Sequence, residues 1–447
     1  MQVVVARLNR DVLFQIVTFV YLSDPYNPLP SHVSPSQFHE SARAEGCSTL
    51  AALARVSKMC LEESSAALWG DMSSLLPFLR LLSDDVNNQW DRFDYYAHRL
   101  RTLWMHDRDG IRMNVLRSLK SFDEAHFKFP RLQHLHWVYS DGKKMEHLPL
   151  FYGPQLERLY VHPGLWLANA LSSLPICLKE LCIVHHPGIH NPQVHSACLD
   201  LKLGNLKLQS FASKAKLTAA TYERLGNMST LHSLDTVVHD TKHLTFGPEN
   251  FASLQNLIIR VNTLEMVINF IMNNSHLKSH PLEAFEAYVL RGHTENHVDK
   301  IDLFNAVRQN LNSNTLRKFK IEGCQPLISH LLLDTQVGQH VLCHGQSLPL
   351  LDKFCHLESF TVVICRILWD DDFLQNTVSK WTHLEMLHLD SLSSSPSRIT
   401  EDGLSFLKET CSKLHDIRLS PVDGARMVCE ICRKPETEVP SVCIQCL

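Results

Sequence analysis

The hydrophobic positions between residues 100 and 419 follow a recurring order: a leucine, an apolar residue three positions later, and another two positions after that. The clear copies are Leu132-Leu135-Trp137, Leu156-Leu159-Val161, Leu178-Leu181-Ile183, Leu254-Leu257-Ile259, Leu316-Phe319-Ile321, Leu357-Phe360-Val362, Leu384-Leu387-Leu389 and Leu414-Ile417-Leu419. Weaker copies begin at Leu100, Leu208, Leu231 and Leu282. Apolar positions two residues apart lie on one face of a β-strand, so each copy predicts a short strand with one buried face.

The segments between the predicted strands carry helical patterns. Thr400 is placed to cap a helix whose apolar positions are Leu404, Leu407 and Cys411, and residues 303–311 form a second such segment. A strand and helix of this size cannot bury their own apolar faces, so successive units are expected to stack on one another.

This pattern resembles that of leucine-rich repeats, which implies an α/β fold in the form of a repeat solenoid. The alternative is an ordinary α/β domain with amphipathic strands. About twelve copies, and the lack of a G-x-G-x-x-G loop after any predicted strand, favour the repeats. The irregular spacing predicts an imperfect solenoid with long loops, above all between Ile321 and Leu357.

Three further helical segments lie in residues 8–69, ahead of the repeats. The first begins near Asn9, a plausible N-cap, the second begins at Ser48, and the third runs from Ser57 to Trp69. A unit this small cannot bury so much apolar surface alone, so it must pack on the rest of the chain, on a partner, or on both. An ordinary three-helix cap on a larger domain would have the same pattern.

These N-terminal residues resemble an F-box, whose pattern is L-P-x-E followed by apolar pairs, then L-x-x-L-x-x-V-x-K, then Leu-Trp. The matching residues are Leu8, Asp11 (in place of Glu), Val12, Leu13, Ile16, Val17, Leu50, Leu53, Val56, Lys58, Leu68 and Trp69. The chain departs from the family in three ways. Asn9 replaces the usual proline, Cys60 replaces the usual aromatic residue, and a proline-rich insertion occupies about residues 23–47. Because proline breaks a helix, the insertion is expected to be an exposed loop.

An F-box followed by leucine-rich repeats resembles the substrate receptors of cullin-type ubiquitin ligases, and the junction at residues 66–77 is similar to the fungal, basidiomycete-type set. The resemblance implies that the matching N-terminal residues bind a Skp-type adaptor and through it a cullin scaffold. It implies that the repeats hold an unknown target protein, and that the chain has no catalytic residue. The expected domains are an F-box-like unit at 1–76, divergent repeats at 77–422 and a tail at 423–447.

The tail contains two cysteine pairs, Cys429-x-x-Cys432 and Cys443-x-x-Cys446. Four thiolates in two such pairs suit one tetrahedral structural zinc ion, which would also supply the folding energy of so short a segment. A disordered tail with free thiols is the alternative. A RING domain needs eight ligands, so four ligands do not make one. Most of the 14 cysteines are expected to be free thiols.

Composition narrows the remaining classes of function. The net charge of −4 gives no broad electrostatic surface for nucleic acid, and no apolar run approaches the roughly 20 residues of a membrane span. No catalytic triad, metal-hydrolase motif or nucleotide loop is recognisable, and the acidic run at residues 370–372 is interpreted as a solvated turn rather than a cation site. The resemblance therefore implies a non-catalytic cytoplasmic or nuclear receptor, with a repeat scaffold outside any ligase as the alternative.

Overall fold

A computed structural model provides the architecture of the chain. It describes residues 47–80, 90–107, 110–121, 129–139, 141–162, 167–183, 200–201, 203, 206–240, 247, 249–290, 300–323, 343–344, 351–364, 367–390 and 399–419. The chain divides into two compact units, Met1–Arg224 and Leu225–Leu447. Each unit is an α/β structure, and the two are considered separately below.

The first unit begins with helices and continues as a parallel sheet. Its helices are α1 (47–54), α2 (Lys58–Gly70), α3 (Leu76–Arg80), α4 (Trp90–Ala97), α5 (Met113–Ser121), α6 (Gly142–Met145), α7 (Leu167–Ala170) and α8 (Ala219–Gly226), the last of which ends just past the boundary. Its strands are β1 (Asp71–Met72), β2 (Thr102–His106), β3 (His134–Val138), β4 (Arg158–Val161), β5 (Glu180–Ile183) and β6 (Ser210–Ser213). These six strands pair in chain order, and every pair is parallel.

The second unit repeats this arrangement. Its helices are α9 (Leu264–Asn273), α10 (Lys300–Asn310), α11 (Asp371–Asn376) and α12 (Glu401–Thr410). Its main sheet contains β7 (Ser233–Val237), β8 (Asn256–Val261), β9 (Ala284–Val289), β10 (Lys318–Gly323), β12 (Ser359–Val363), β14 (Met386–Asp390) and β15 (Asp416–Leu419), again parallel and in chain order. A separate parallel pair joins β11 (Cys343–His344) to β13 (Ile367–Leu368). Most of the predicted long loop between Ile321 and Leu357 lies outside the described residues.

The leucine pattern predicts the strands correctly. In all twelve copies the strand begins two residues after the first leucine, as at Leu132 before β3 and Leu384 before β14. That leucine is buried in eleven copies. The two apolar strand positions alternate with more exposed ones in strands such as β2, β3 and β8, whereas the residue between them is also buried in β4, β5, β7 and β12. One face of each sheet therefore forms a core. Leu414, in the last copy, is partly exposed.

A repeated backbone contact explains why the leucine and the strand keep a fixed spacing. In ten of the twelve copies, the carbonyl oxygen of the residue after the leucine accepts hydrogen bonds from two successive N–H groups of the next repeat. The Arg101 carbonyl accepts from Gln133 and His134 at 2.8 and 2.9 Å, and the Glu283 carbonyl accepts from Arg317 and Lys318 at 2.8 and 2.9 Å. The contact is between main-chain atoms, so the side chain at this position is free to vary.

Several helices begin at the predicted kind of cap. The hydroxyl of Thr400 accepts a hydrogen bond from the N–H of Gly403 at the start of α12, which confirms that prediction, and Ser57 caps α2 in the same way through Cys60. The acidic run differs from its interpretation as a solvated turn. Asp370 caps α11 through the N–H of Phe373 at 2.9 Å, and the run forms the start of that helix.

Within the described part of the chain, none of the helices combines the length and the apolar character needed to cross a membrane.

Candidate protein-interaction surfaces

The predicted adaptor-binding residues divide between the described and undescribed parts of the chain. Those of the first motif, Leu8, Asp11, Val12, Leu13, Ile16 and Val17, lie outside the described residues. Leu50 of α1 is completely buried and packs with Cys60 of α2, while Leu53 and Leu68 lie against the same cluster. The structure therefore uses these residues to join α1 to α2.

Trp69 lies at the end of α2 and contacts the helices that follow it. Its indole stacks on Tyr96 of α4 with ring centroids 4.3 Å apart, and it meets the edge of Phe78 of α3 at 4.9 Å. Phe78 in turn contacts Phe93 and Phe129 at 5.7 and 5.8 Å. Trp69 thus joins the helical segment to the aromatic core of the first unit.

Three apolar side chains that are close in sequence remain exposed at the start of α2. Val56 is 71% exposed in the turn between α1 and α2, and Met59 and Leu61 are also exposed. Met59 and Leu61 are two positions apart, so they lie on different sides of the helix. Of the three, Val56 is the one that the F-box pattern assigns to the adaptor.

The more exposed face of the first unit's sheet carries a row of stacked rings. Trp104 of β2 and His136 of β3 are parallel within 10°, with centroids 3.5 Å apart, and His136 stacks on Tyr160 of β4 at 4.2 Å. The Tyr160 hydroxyl donates a hydrogen bond to Glu180 of β5 at 2.7 Å. The register places Trp104, His136 and Tyr160 directly opposite one another, and they are named here the ring row.

His136 is neutral at pH 7. Burial between its two neighbouring rings lowers the pKa of His136 to about 3, and the electrostatic effect of His134 acts in the same direction. Burial, followed by the charge of Arg158, also lowers the pKa of His134. Arg158 itself pairs with Glu180 at 3.3 Å. The ring row is therefore an uncharged aromatic surface.

The corresponding face of the second unit is charged instead. Arg260 of β8 donates two hydrogen bonds to Asp235 of β7, at 3.1 and 2.9 Å, and lies over the ring of Tyr288 at 4.6 Å. The Tyr288 hydroxyl donates to Glu286, and burial raises the pKa of Tyr288. Lys320 of β10 pairs with Glu322 at 2.8 Å. These charges are therefore paired, between two strands for Arg260 and Asp235 and within one strand for Lys320 and Glu322.

The described residues contain no group of three or more histidine, cysteine, aspartate or glutamate side chains that could hold a metal ion. Cys429, Cys432, Cys443 and Cys446 lie outside the described residues, so the zinc site in the tail stays a prediction. Six cysteines in the described part of the chain are free thiols, as the sequence predicts: Cys47, Cys60, Cys177, Cys182, Cys355 and Cys411.

No protein-family model matches the chain, and no curated protein matches it. The class of protein therefore has to be argued from the repeats, the helical segment and the surfaces described above.

Proposed function

We propose that this chain is a non-catalytic substrate receptor of a Skp–cullin–F-box ubiquitin ligase. In this proposal the helices before β1 form an F-box that binds the adaptor, and the strands of each unit belong to leucine-rich repeats that hold a target protein. Ubiquitin transfer would be promoted by proximity alone, because a held target presents its lysines at a high effective concentration.

The observation that carries the proposal is the exposure of Val56, a residue that the F-box pattern assigns to the adaptor, beside two helices whose leucines pack on one another. Leu50 and Leu68 hold α1 on α2, while Val56 is 71% exposed. Burying an exposed valine side chain contributes about 1.5 to 3 kcal/mol, so a partner that covers Val56 would gain affinity.

The test is co-purification of the full chain with a purified Skp-type adaptor. Val56→Asp places a charge at a residue that is 71% exposed, so the variant is expected to fold and to lose adaptor binding. Ile176→Asp is the matched control, because Ile176 is 76% exposed, lies elsewhere in the first unit and has no place in the F-box pattern. Ile16→Asp tests the first motif in the same assay.

The outcomes separate the proposal from its alternative. Adaptor capture by the wild type and by Ile176→Asp, with loss in Val56→Asp, supports the receptor. A wild-type chain that captures no adaptor contradicts it. Leu50→Asp is a poor probe, since Leu50 is completely buried and the substitution would disrupt the contact between α1 and α2.

A second candidate is a repeat scaffold that acts outside any ligase. It is favoured by the internal use of four residues that the F-box pattern assigns to the adaptor: Leu50, Leu53, Leu68 and Trp69 contact other residues of this chain. The scaffold predicts a partner that binds the repeats and no binding to the adaptor, so the same co-purification distinguishes it from the receptor.

A further inference from the structure

The last of the twelve copies differs from the others in the burial of its core positions. In each of the eleven preceding copies, the leading leucine and the two strand positions of the pattern are buried, even where a polar residue stands there, as at Ser213 and Thr236. In the last copy all three residues are partly exposed, namely Leu414, Ile417 and Leu419. These three residues are named here the open face.

The main chain is open at the same place. β15 pairs with β14 on one side, and among the described residues no strand pairs with its other side. The Glu385 carbonyl of β14's copy accepts hydrogen bonds from the N–H groups of His415 and Asp416 at 3.0 and 3.2 Å. The equivalent carbonyl of the last copy, that of His415, accepts no such pair within the described part of the chain. Proteins usually cover a strand edge of this kind.

The first copy shows how a strand with no full-length neighbour on one side is treated elsewhere in this chain. Leu100, Leu103 and Met105 are completely buried, although only the two-residue β1 pairs with β2 on that side. The stretch that precedes the copy in the sequence lies beside it, and the N–H of Arg101 donates to the Gly70 carbonyl at 2.7 Å. An adjoining stretch of sequence therefore contributes to the covering of the first copy.

Residues 420–447 are the stretch that adjoins β15. They contain no further copy of the leucine pattern, so a cover formed from them is not another repeat. Pro421 and the Asp423-Gly424 pair are typical of a chain reversal, and apolar residues follow that reversal at Met427, Val428 and Ile431. A segment tethered this closely has a far higher effective concentration at β15 than a separate molecule has.

We propose that residues 420–431 turn back after β15 and cover the open face with Met427, Val428 and Ile431. This segment then acts as the cap of the last repeat. A stack of repeats needs a cap with a polar outer side at its end, and Arg426 and Glu430 provide polar residues among the apolar ones. The proposal depends neither on adaptor binding nor on zinc in the tail.

Photo-crosslinking in the full chain tests the contact itself. The photoreactive residue p-benzoylphenylalanine replaces Leu419 in one variant and Arg418 in a matched control. Neither residue is buried, so both variants should fold, and successive strand residues face opposite sides of the sheet. Mass spectrometry is expected to show cross-links from position 419 to residues 425–431 and none from position 418. A segment that is near only because it is close in sequence would react with both positions.

Hydrogen exchange in the full chain tests the consequence. Met427→Asp places a charge against the open face, so the amides of β15 are expected to exchange about tenfold faster than in the wild type. Thr437→Asp introduces the same charge farther along the tail, outside the proposed cap, and should leave β15 unchanged. The amides of β3, in the first unit, serve as the internal reference in both variants.

Several outcomes would overturn the inference. They are equal cross-linking from positions 418 and 419, no cross-link from position 419 to residues 425–431, and wild-type exchange of β15 in Met427→Asp. A cross-link between two chains, seen as a dimer on a denaturing gel, would also overturn it, because a second copy would then cover the open face. Adaptor capture enters none of these measurements, so failure of the cap and failure of the proposed function are distinguishable.

Discussion

The indole of Trp69 stacks on the ring of Tyr96 at 4.3 Å, with 25° between the planes. This contact joins the last turn of α2 to α4, and Phe78 extends it to the phenylalanines of the first unit's core. A residue that the F-box pattern assigns to an external partner therefore also has an internal role. The two roles can be separated by measurement.

Trp69→Ala is expected to lower the free energy of unfolding by about 2 to 3 kcal/mol, somewhat less than a fully buried tryptophan would, because Trp69 is only partly buried. Trp69→Phe keeps a ring against Tyr96 and should cost much less. Urea unfolding followed by circular dichroism measures both. If Trp69→Ala were as stable as the wild type, the stack would not hold α2 on the first unit.

Gly403 of α12 lies close to the side chain of Asp371 of α11. The carboxylate of Asp371 accepts hydrogen bonds from the N–H and hydroxyl of Thr400 at 2.9 and 2.6 Å. A Cβ atom added at Gly403 would lie 2.0 Å from Oδ1 of Asp371, well inside contact distance. The start of α12 therefore accepts only a glycine at this position, because the carboxylate of Asp371 occupies the space of a Cβ atom.

Gly403→Ala is accordingly expected to destabilise the chain by about 1 to 3 kcal/mol, although glycine to alanine within a helix usually stabilises by about 1 kcal/mol. The control is a double-mutant cycle. In an Asp371→Ala background the collision is removed, and Gly403→Ala should become neutral or stabilising. A stabilising effect of Gly403→Ala in the wild-type background would contradict this account.

The sequence predicts the strands well because their signal is local. A leucine lies two residues before each strand, and alternating apolar positions such as Leu135 and Trp137 follow it. This pattern indicates that one face of the strand is buried, whatever residues the neighbouring repeat contains. β1 is not predicted, because two residues are too few to show alternation. The pair formed by β11 and β13 is not predicted either, since neither strand has a periodic pattern of its own.

The groups of side chains that meet on the surface could not be predicted as well as the strands, because which residues meet depends on the register between repeats. Trp104, His136 and Tyr160 are separated by 32 and 24 positions in the sequence, and only the pairing of β2, β3 and β4 aligns them. The contact between Asp371 and Thr400 arises in the same way from two helices. In the acidic run, the residue types are typical of a solvated turn, whereas the role of Asp370 as a cap depends on where α11 begins.

The pair formed by Arg260 and Asp235 should contribute more to stability than an exposed pair does. Their side chains are 19% and 8% exposed and share two hydrogen bonds. Asp235→Asn is expected to cost about 3 kcal/mol, because it leaves a partly buried guanidinium without its counter-charge. Glu157→Gln breaks the more exposed pair with Lys179 and should cost at most about 1 kcal/mol. Equal losses in the two variants, measured by urea unfolding, would contradict the argument.

His136 should make the stability of the chain depend on pH in the acidic range. Its pKa is lowered to about 3 in the folded chain by burial, whereas an unfolded histidine has a pKa near 6.5. Between these values the unfolded state takes up a proton that the folded state does not, so the contribution is complete above about pH 6.5 and is lost progressively as the pH falls. The expected loss from His136 is about 2 kcal/mol between pH 7 and pH 5.

His136→Phe keeps a flat ring between Trp104 and Tyr160 but cannot bind a proton, so its free energy of unfolding should fall less over that range. Urea titrations of both proteins at pH 7, 6 and 5 measure the difference, and parallel pH profiles would show that His136 is accessible to protons in the folded state.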